Sequence, residues 1–234
     1  MTTQQRPRLA AIACTTCLLS FCSSAFAVTY ALDDGTQEAG IGYFGTTGTV
    51  WLNEFTVTAG GERIESIEIM FGANPASNGL PANGESFQLL LYTDADNDGD
   101  PSNATLVRQQ TEQISQSNTS TFVSYNLDTP VDLGTGDSFY IGMYRAADGS
   151  SNSFGPNTDT NGAMASRSYR FGWFPSGNAP DPGDLSSAGN SVNPETTRNF
   201  MIRAEGTAVP EPSSALLLGF ACSGLLLRRR KKQV

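Results

Sequence analysis

The sequence contains no histidine, and its four cysteines and its lysines all sit near its ends. Cys14, Cys17 and Cys22 precede residue 28, while Cys222, Lys231 and Lys232 lie close to the C-terminus. Residues 28–208 therefore offer no thiol, imidazole or amine side chain. That excludes Ser-His-Asp and Cys-His catalysis, Schiff-base chemistry and the common zinc sites. It also excludes disulfides, so an exported domain of this composition relies on its core or on bound ions. Paired carboxylates, as glycosidases use them, are what remains for catalysis. With 22 Asp and Glu in this stretch, spacing alone selects no pair. The reading is non-enzymatic, and a carboxylate-dependent extracellular glycan hydrolase is its alternative.

Positive charge is equally scarce. Residues 28–208 carry seven arginines against those 22 acids, a net charge of about −15 where the whole chain has −9. Such a surface repels phosphate backbones and excludes nucleic-acid binding. It suits divalent cations and neutral glycans as partners.

Helical periodicity is missing as well. No segment of 28–208 keeps a 3.6-residue apolar spacing over three turns, whereas short alternating runs recur between Gly, Asn, Asp and Pro clusters. The strongest runs are 50–58, 63–71, 86–92, 121–127, 138–144 and 199–204; weaker ones are 29–32, 105–110 and 163–171. In 63–71, Ile67, Ile69 and Phe71 face one way, with Glu68 and Met70 opposite. Leu89-Leu90-Leu91 reads as a strand covered on both faces. These runs predict an all-β domain, a jelly-roll-like antiparallel β-sandwich. Ser176–Pro194 reads as a long polar loop that is mobile or serves binding.

Two stretches of this domain suggest ligands. Asp94-Ala95-Asp96-Asn97-Asp98-Gly99-Asp100 places four carboxylates within seven residues, and such hard oxygens suit Ca²⁺. Asp94, Asp96, Asp98 and Asp100 are the candidate ligands. The first half matches an EF-hand loop, but Thr105 stands where a bidentate Glu is needed and a strand precedes it, so it is not one. Asp-Gly and Asp-Pro are also ordinary turn chemistry. Tyr169, Phe171, Trp173 and Phe174 form an aromatic cluster, readable as a glycan-stacking face or as core. The sequons at Asn103 and Asn118 carry little weight.

The ends read as processing segments. Arg6 and Arg8, the apolar stretch Leu9–Phe21 and Ala25-Phe26-Ala27 follow the order of a secretory signal peptide, 1–27, cut after Ala27. A lipobox at Cys22 is disfavoured by the bulky Phe21. At the other end, 209–234 holds Pro210-Glu211-Pro212, a 13-residue apolar run 215–227 and the basic cluster Arg228, Arg229, Arg230, Lys231 and Lys232. As a helix that run covers about 20 Å, short of a bilayer core of about 30 Å. The basic cluster would stay cytoplasmic.

Triplet, apolar helix and Arg-rich end, in this order at the C-terminus, resemble the PEP-CTERM sorting domain of Gram-negative bacteria. The resemblance implies recognition by an exosortase, a transient inner-membrane stage, and delivery to the cell surface or an exopolysaccharide matrix. It implies a structural or adhesive role in biofilm. Residues 28–208 resemble, more loosely, the β-sandwich domains found ahead of that tail: Leu89–Asp94 with Asp100-Pro101, Pro130–Leu133 with Gly136–Ile141, and Phe200–Gly206.

Overall fold

The computed structural model describes residues 27–71, 81–147 and 152–209. Residues 1–26 of the segment read as a signal peptide, the triplet read as a sorting motif, the apolar run 215–227 and the basic cluster 228–232 lie outside the described residues. The described residues form thirteen strands: β1 (Val28–Tyr30), β2 (Ala39–Phe44), β3 (Gly48–Thr56), β4 (Arg63–Met70), β5 (Ser86–Asp94), β6 (Thr105–Gln113), β7 (Phe122–Asp132), β8 (Ser138–Ala146), β9 (Asn152–Asp159), β10 (Ser168–Trp173), β11 (Asn190–Glu195), β12 (Asn199–Phe200) and β13 (Ile202–Thr207). Among the described residues the only helical piece is a single 3₁₀ turn, Leu185–Ser187, and no helix is long and apolar enough to cross a membrane.

The strands form a six-stranded sheet, β11-β10-β3-β8-β5-β6, a four-stranded sheet, β1-β13-β4-β7, and a three-stranded sheet, β12-β9-β2. All their pairings are antiparallel. The all-β, sheet-on-sheet expectation is met. Period-two alternation decides which side chains meet. From the large sheet, Trp51 and Phe55 (β3), Phe87, Leu89 and Leu91 (β5) and Phe139, Ile141 and Met143 (β8) point to the front. They pack against Tyr30, Ile64, Ile67, Ile69, Tyr125, Leu127, Ile202 and Ala204 of the four-stranded sheet. Ile64 joins its odd-numbered neighbours because β4 shifts register between Ile64 and Ser66. Met70, expected on the outer face with Glu68, is nevertheless buried.

The back of the large sheet is covered too, from β10 across to β5. Val50, Leu52, Leu90, Tyr92, Tyr140, Tyr169, Phe171 and Trp173 cluster there around Leu185. Leu185 comes from the segment read as a polar loop. The Tyr92 hydroxyl donates to the Pro182 carbonyl (2.7 Å), and Trp173 Nε1 donates to Ser187 Oγ (3.1 Å). The segment is thus fastened over the sheet, and its end forms edge strand β11.

Asn53 joins the sheets. Fully buried, it donates from Nδ2 to the carbonyls of Phe200 (2.8 Å) and Ile202 (2.9 Å) and accepts from Ser168 Oγ (2.7 Å). Those carbonyls flank Met201, where the chain passes from β12 in the three-stranded sheet to β13 in the four-stranded one. Met201 N–H bonds Asn157 O (2.8 Å), while its carbonyl accepts from Met70 N–H (3.1 Å). Backbone groups at such a crossing have no ladder, and the buried amide satisfies two of them.

Candidate functional site

The acidic turn leaves the end of β5. Asp94 is the last strand residue and is 3% exposed; Asp96 and Asp98 are exposed in the turn that follows. Two left-handed residues fold the turn back, Asn97 (φ 54°) and Gly99 (φ 77°). Asparagine and glycine are the residue types that enter this region most readily. The Asp94 carboxylate organises the loop: Oδ1 accepts from Asn97 N–H and Oδ2 from Gly99 N–H (3.0 Å each), and the Tyr140 hydroxyl donates to Oδ2 (3.3 Å). One carboxylate oxygen from each of Asp94, Asp96 and Asp98 lies within 4.8 Å of the other two.

Asp100, expected as a fourth ligand, stands apart from this group. Its Oδ1 accepts from Ser102 N–H (2.9 Å), closing a local turn toward the chain's next strand. Asn103 Nδ2 instead reaches Asp96 Oδ2 (3.4 Å) and Asp98 Oδ2 (3.3 Å). The cluster is therefore three carboxylates, of which Asp96 and Asp98 are bridged by one amide.

Its electrostatics are those of crowded acids. Burial pushes the Asp94 carboxyl up, but hydrogen bonds from Gly99, Asp96, Asn97 and Tyr140 outweigh it and hold the group below the usual carboxylate value. Asp96, though exposed, is raised, first through its hydrogen bond with Asp94, then through some loss of solvation and repulsion from Asp98 and Asp94. A proton shared toward Asp94 relieves the repulsion, and a divalent cation would do so more fully. Three hard oxygens fit Ca²⁺ or Mg²⁺ chemistry; reaching six or more ligands would require water or carbonyl oxygens.

The aromatic cluster does not form a glycan face. Tyr169, Phe171 and Trp173 alternate along β10 and all point into the back-face core, at 6%, 1% and 0% exposure. Tyr169 is further fixed by donating its hydroxyl to Glu54 Oε2 (2.7 Å). Burial, that Glu54 contact and nearby acids keep this phenol protonated. Phe174, half-buried beyond the strand end, packs edge-on against Tyr43 at 6.1 Å. These residues are buried because the segment around Leu185 packs over them, which the polar composition of 176–194 concealed.

Beside that cluster, where β8, β5 and β6 run on, lies a cleft of about 190 Å³ lined by Ser86, Phe87, Gln88, Thr111, Tyr144 and Ala146. Sequence reading singled out none of these. Their association is a matter of register: Gln88 stands beside Tyr144 across β5–β8 and beside Thr111 across β5–β6. No carboxylate lines this cleft, so it offers binding groups but no acid–base pair.

No family model matches the sequence, and no curated protein matches it. In fold, the chain is similar to a clostridial cysteine protease, Cwp84, solved after propeptide cleavage. That match has a TM-score of 0.49 and 12% identity, over 78% of this chain and 40% of that one. A structure of the cysteine protease and lectin-like domains of Cwp84, a surface layer associated protein of Clostridium difficile, gives 0.43 and 13%, over 78% and 36%. The match thus spans less than half of either solved chain.

Proposed function

We propose that this is an exported surface or matrix protein of a Gram-negative bacterium, non-enzymatic, whose jelly-roll-like sandwich serves a structural or adhesive role in exopolysaccharide. An exosortase would read Pro210-Glu211-Pro212 while the 215–227 run and the basic residues 228–232 hold the tail at the inner membrane. The observation that carries this reading is the order of parts along the chain. A segment with the order of an export signal is followed by an acidic, cysteine-free β domain and then by an apolar run too short for a comfortable span. The absence of cysteine agrees with a domain whose stability lies in two apolar layers. In this setting the Asp94–Asp96–Asp98 turn would hold Ca²⁺.

Mass spectrometry of the mature protein from native cells tests the sorting claim. A C-terminus close to Pro210, lost as a product when the triplet is replaced by alanines, is the expected result. A mature chain that still ends at Val234 would sink it. For the ion, purified domain titrated with Ca²⁺ after chelation should gain thermal stability, and Asp96→Asn with Asp98→Asn should abolish the gain. An unchanged Tm in the wild type rejects calcium while leaving the sorting reading intact.

A further inference from the structure

We propose that the cleft on the β8–β5–β6 half of the large sheet binds one neutral sugar ring, stacked on Tyr144 and hydrogen-bonded by Gln88, Thr111 and Ser86. The inference rests on the reading of this protein as a matrix component, and adds the site and the ligand class.

The sheet register builds the cleft. Pairing aligns Tyr144, Gln88 and Thr111 in one row across β8, β5 and β6, and Ala146 and Ser86 lie two residues further along β8 and β5, next to that row. Side chains of one row on one face of a sheet are neighbours about 5 Å apart. The row therefore sets an aromatic ring, an amide and a hydroxyl side by side, while the small Ala146 and Ser86 leave the depression open. Tyr144 is held in place from the opposite side. A Cβ on Gly48 would lie 2.7 Å from its Cε2 and its hydroxyl oxygen, so the ring lies against the bare backbone of β3. Trp173 meets it edge-on at 6.3 Å. Gln88 is oriented as well: its Oε1 accepts from Gln109 Nε2 at 2.6 Å, which turns its own NH₂ to other acceptors.

The lining selects the ligand. A pyranose presents an apolar C–H face and a rim of neutral hydroxyls, which match one aromatic ring and a set of amide and hydroxyl groups. At about 190 Å³ the cleft is smaller than the roughly 300–1,000 Å³ that drug-sized ligands occupy, and suits one ring of a chain that runs out across the sheet. Charged ligands find nothing here. No lining residue is ionic, and five of the seven arginines are committed to ion pairs with Glu or Asp. The net charge near −15 repels uronate and sulfate polymers.

The experiment uses the exported domain with neutral glucan, mannan and galactan oligosaccharides as probes and oligouronates as the charged comparison. Wild type should bind at least one neutral series and not the uronates. Tyr144→Ala and Gln88→Ala should each weaken binding at least tenfold, and Tyr144→Phe, which keeps the ring, should retain it. Thr111→Arg, made at an exposed edge-strand position, should block the cleft with an unchanged Tm and so separates loss of binding from loss of fold. Neutral-glycan binding that survives Thr111→Arg and Gln88→Ala overturns this site but leaves a glycan-binding matrix protein. A wild type that binds no neutral glycan overturns both the site and the polysaccharide part of the proposed function.

Discussion

At the scale of single residues, the two best-determined polar groups are Asn53 and Asp94, and both act by closing backbone accounts. Removing the Asn53 amide orphans the carbonyls of Phe200 and Ile202 inside the protein. Asn53→Ala should therefore cost about 1–3 kcal/mol in denaturant unfolding, whereas a substitution at exposed Thr111 should fall within about 0.5 kcal/mol. Asp94 adds a pH dependence whose sign follows from its depressed folded-state value. An unfolded aspartate titrates near 3.9. The group thus contributes stability above that pH and loses it as the pH falls through the folded value. In an Asp96→Asn background, where the coupled neighbour no longer titrates, Tm should hold from about pH 7 to about 5 and fall below about 4. Asp94→Asn should lower Tm at neutral pH and flatten that acid limb. The motif of alternating acids was legible in the sequence down to three of its four members. Asp100 was not separable, because whether a carboxylate converges or caps its own turn depends on φ at Asn97 and Gly99.

Elements with strong alternation were legible almost to their ends. β4 and β8 start at the expected residues because nine- and seven-residue runs of alternating or dense apolar character admit one register. β2, β9 and β11 were not anticipated, and each has a reason. β2 is Ala-Gly-Ile-Gly-Tyr-Phe, with glycine on one side of the pleat. β9 and β11 are written in Asn, Ser, Pro and Gly, the vocabulary of turns, and exist because a neighbour's ladder recruits them. The misread aromatic cluster has the same origin, since a lid whose contact rests on Leu185 looks like a solvated loop. That lid gives an element-scale prediction. Leu185→Asp places a charge against Trp173, Tyr92 and Phe171 and should destabilise by about 2–4 kcal/mol, read as a drop in Tm. A glycan-stacking role for Tyr169 and Trp173 would instead leave Tm unchanged.

Across the whole molecule, β1 pairs with β13, with Val28 opposite Gly206. The first and last strands of the domain are therefore neighbours, and β13 is not at the rim but lies between β1 and β4. A chain cut before Ile202 should lack a cooperative unfolding transition by calorimetry, because β1 and β4 lose their shared partner and the front core loses Ile202 and Ala204. The topology also orders events in time. In the proposed export the chain would emerge from residue 28 onward, yet the four-stranded sheet could not close until the residues through Thr207 had crossed. The final stitch of the fold thus lies just ahead of Pro210, the place where the tail would be read. Sheet closure and tail exposure become successive steps on a few adjacent residues, so a processing enzyme acting at that triplet would meet only chains whose last strand has already been delivered.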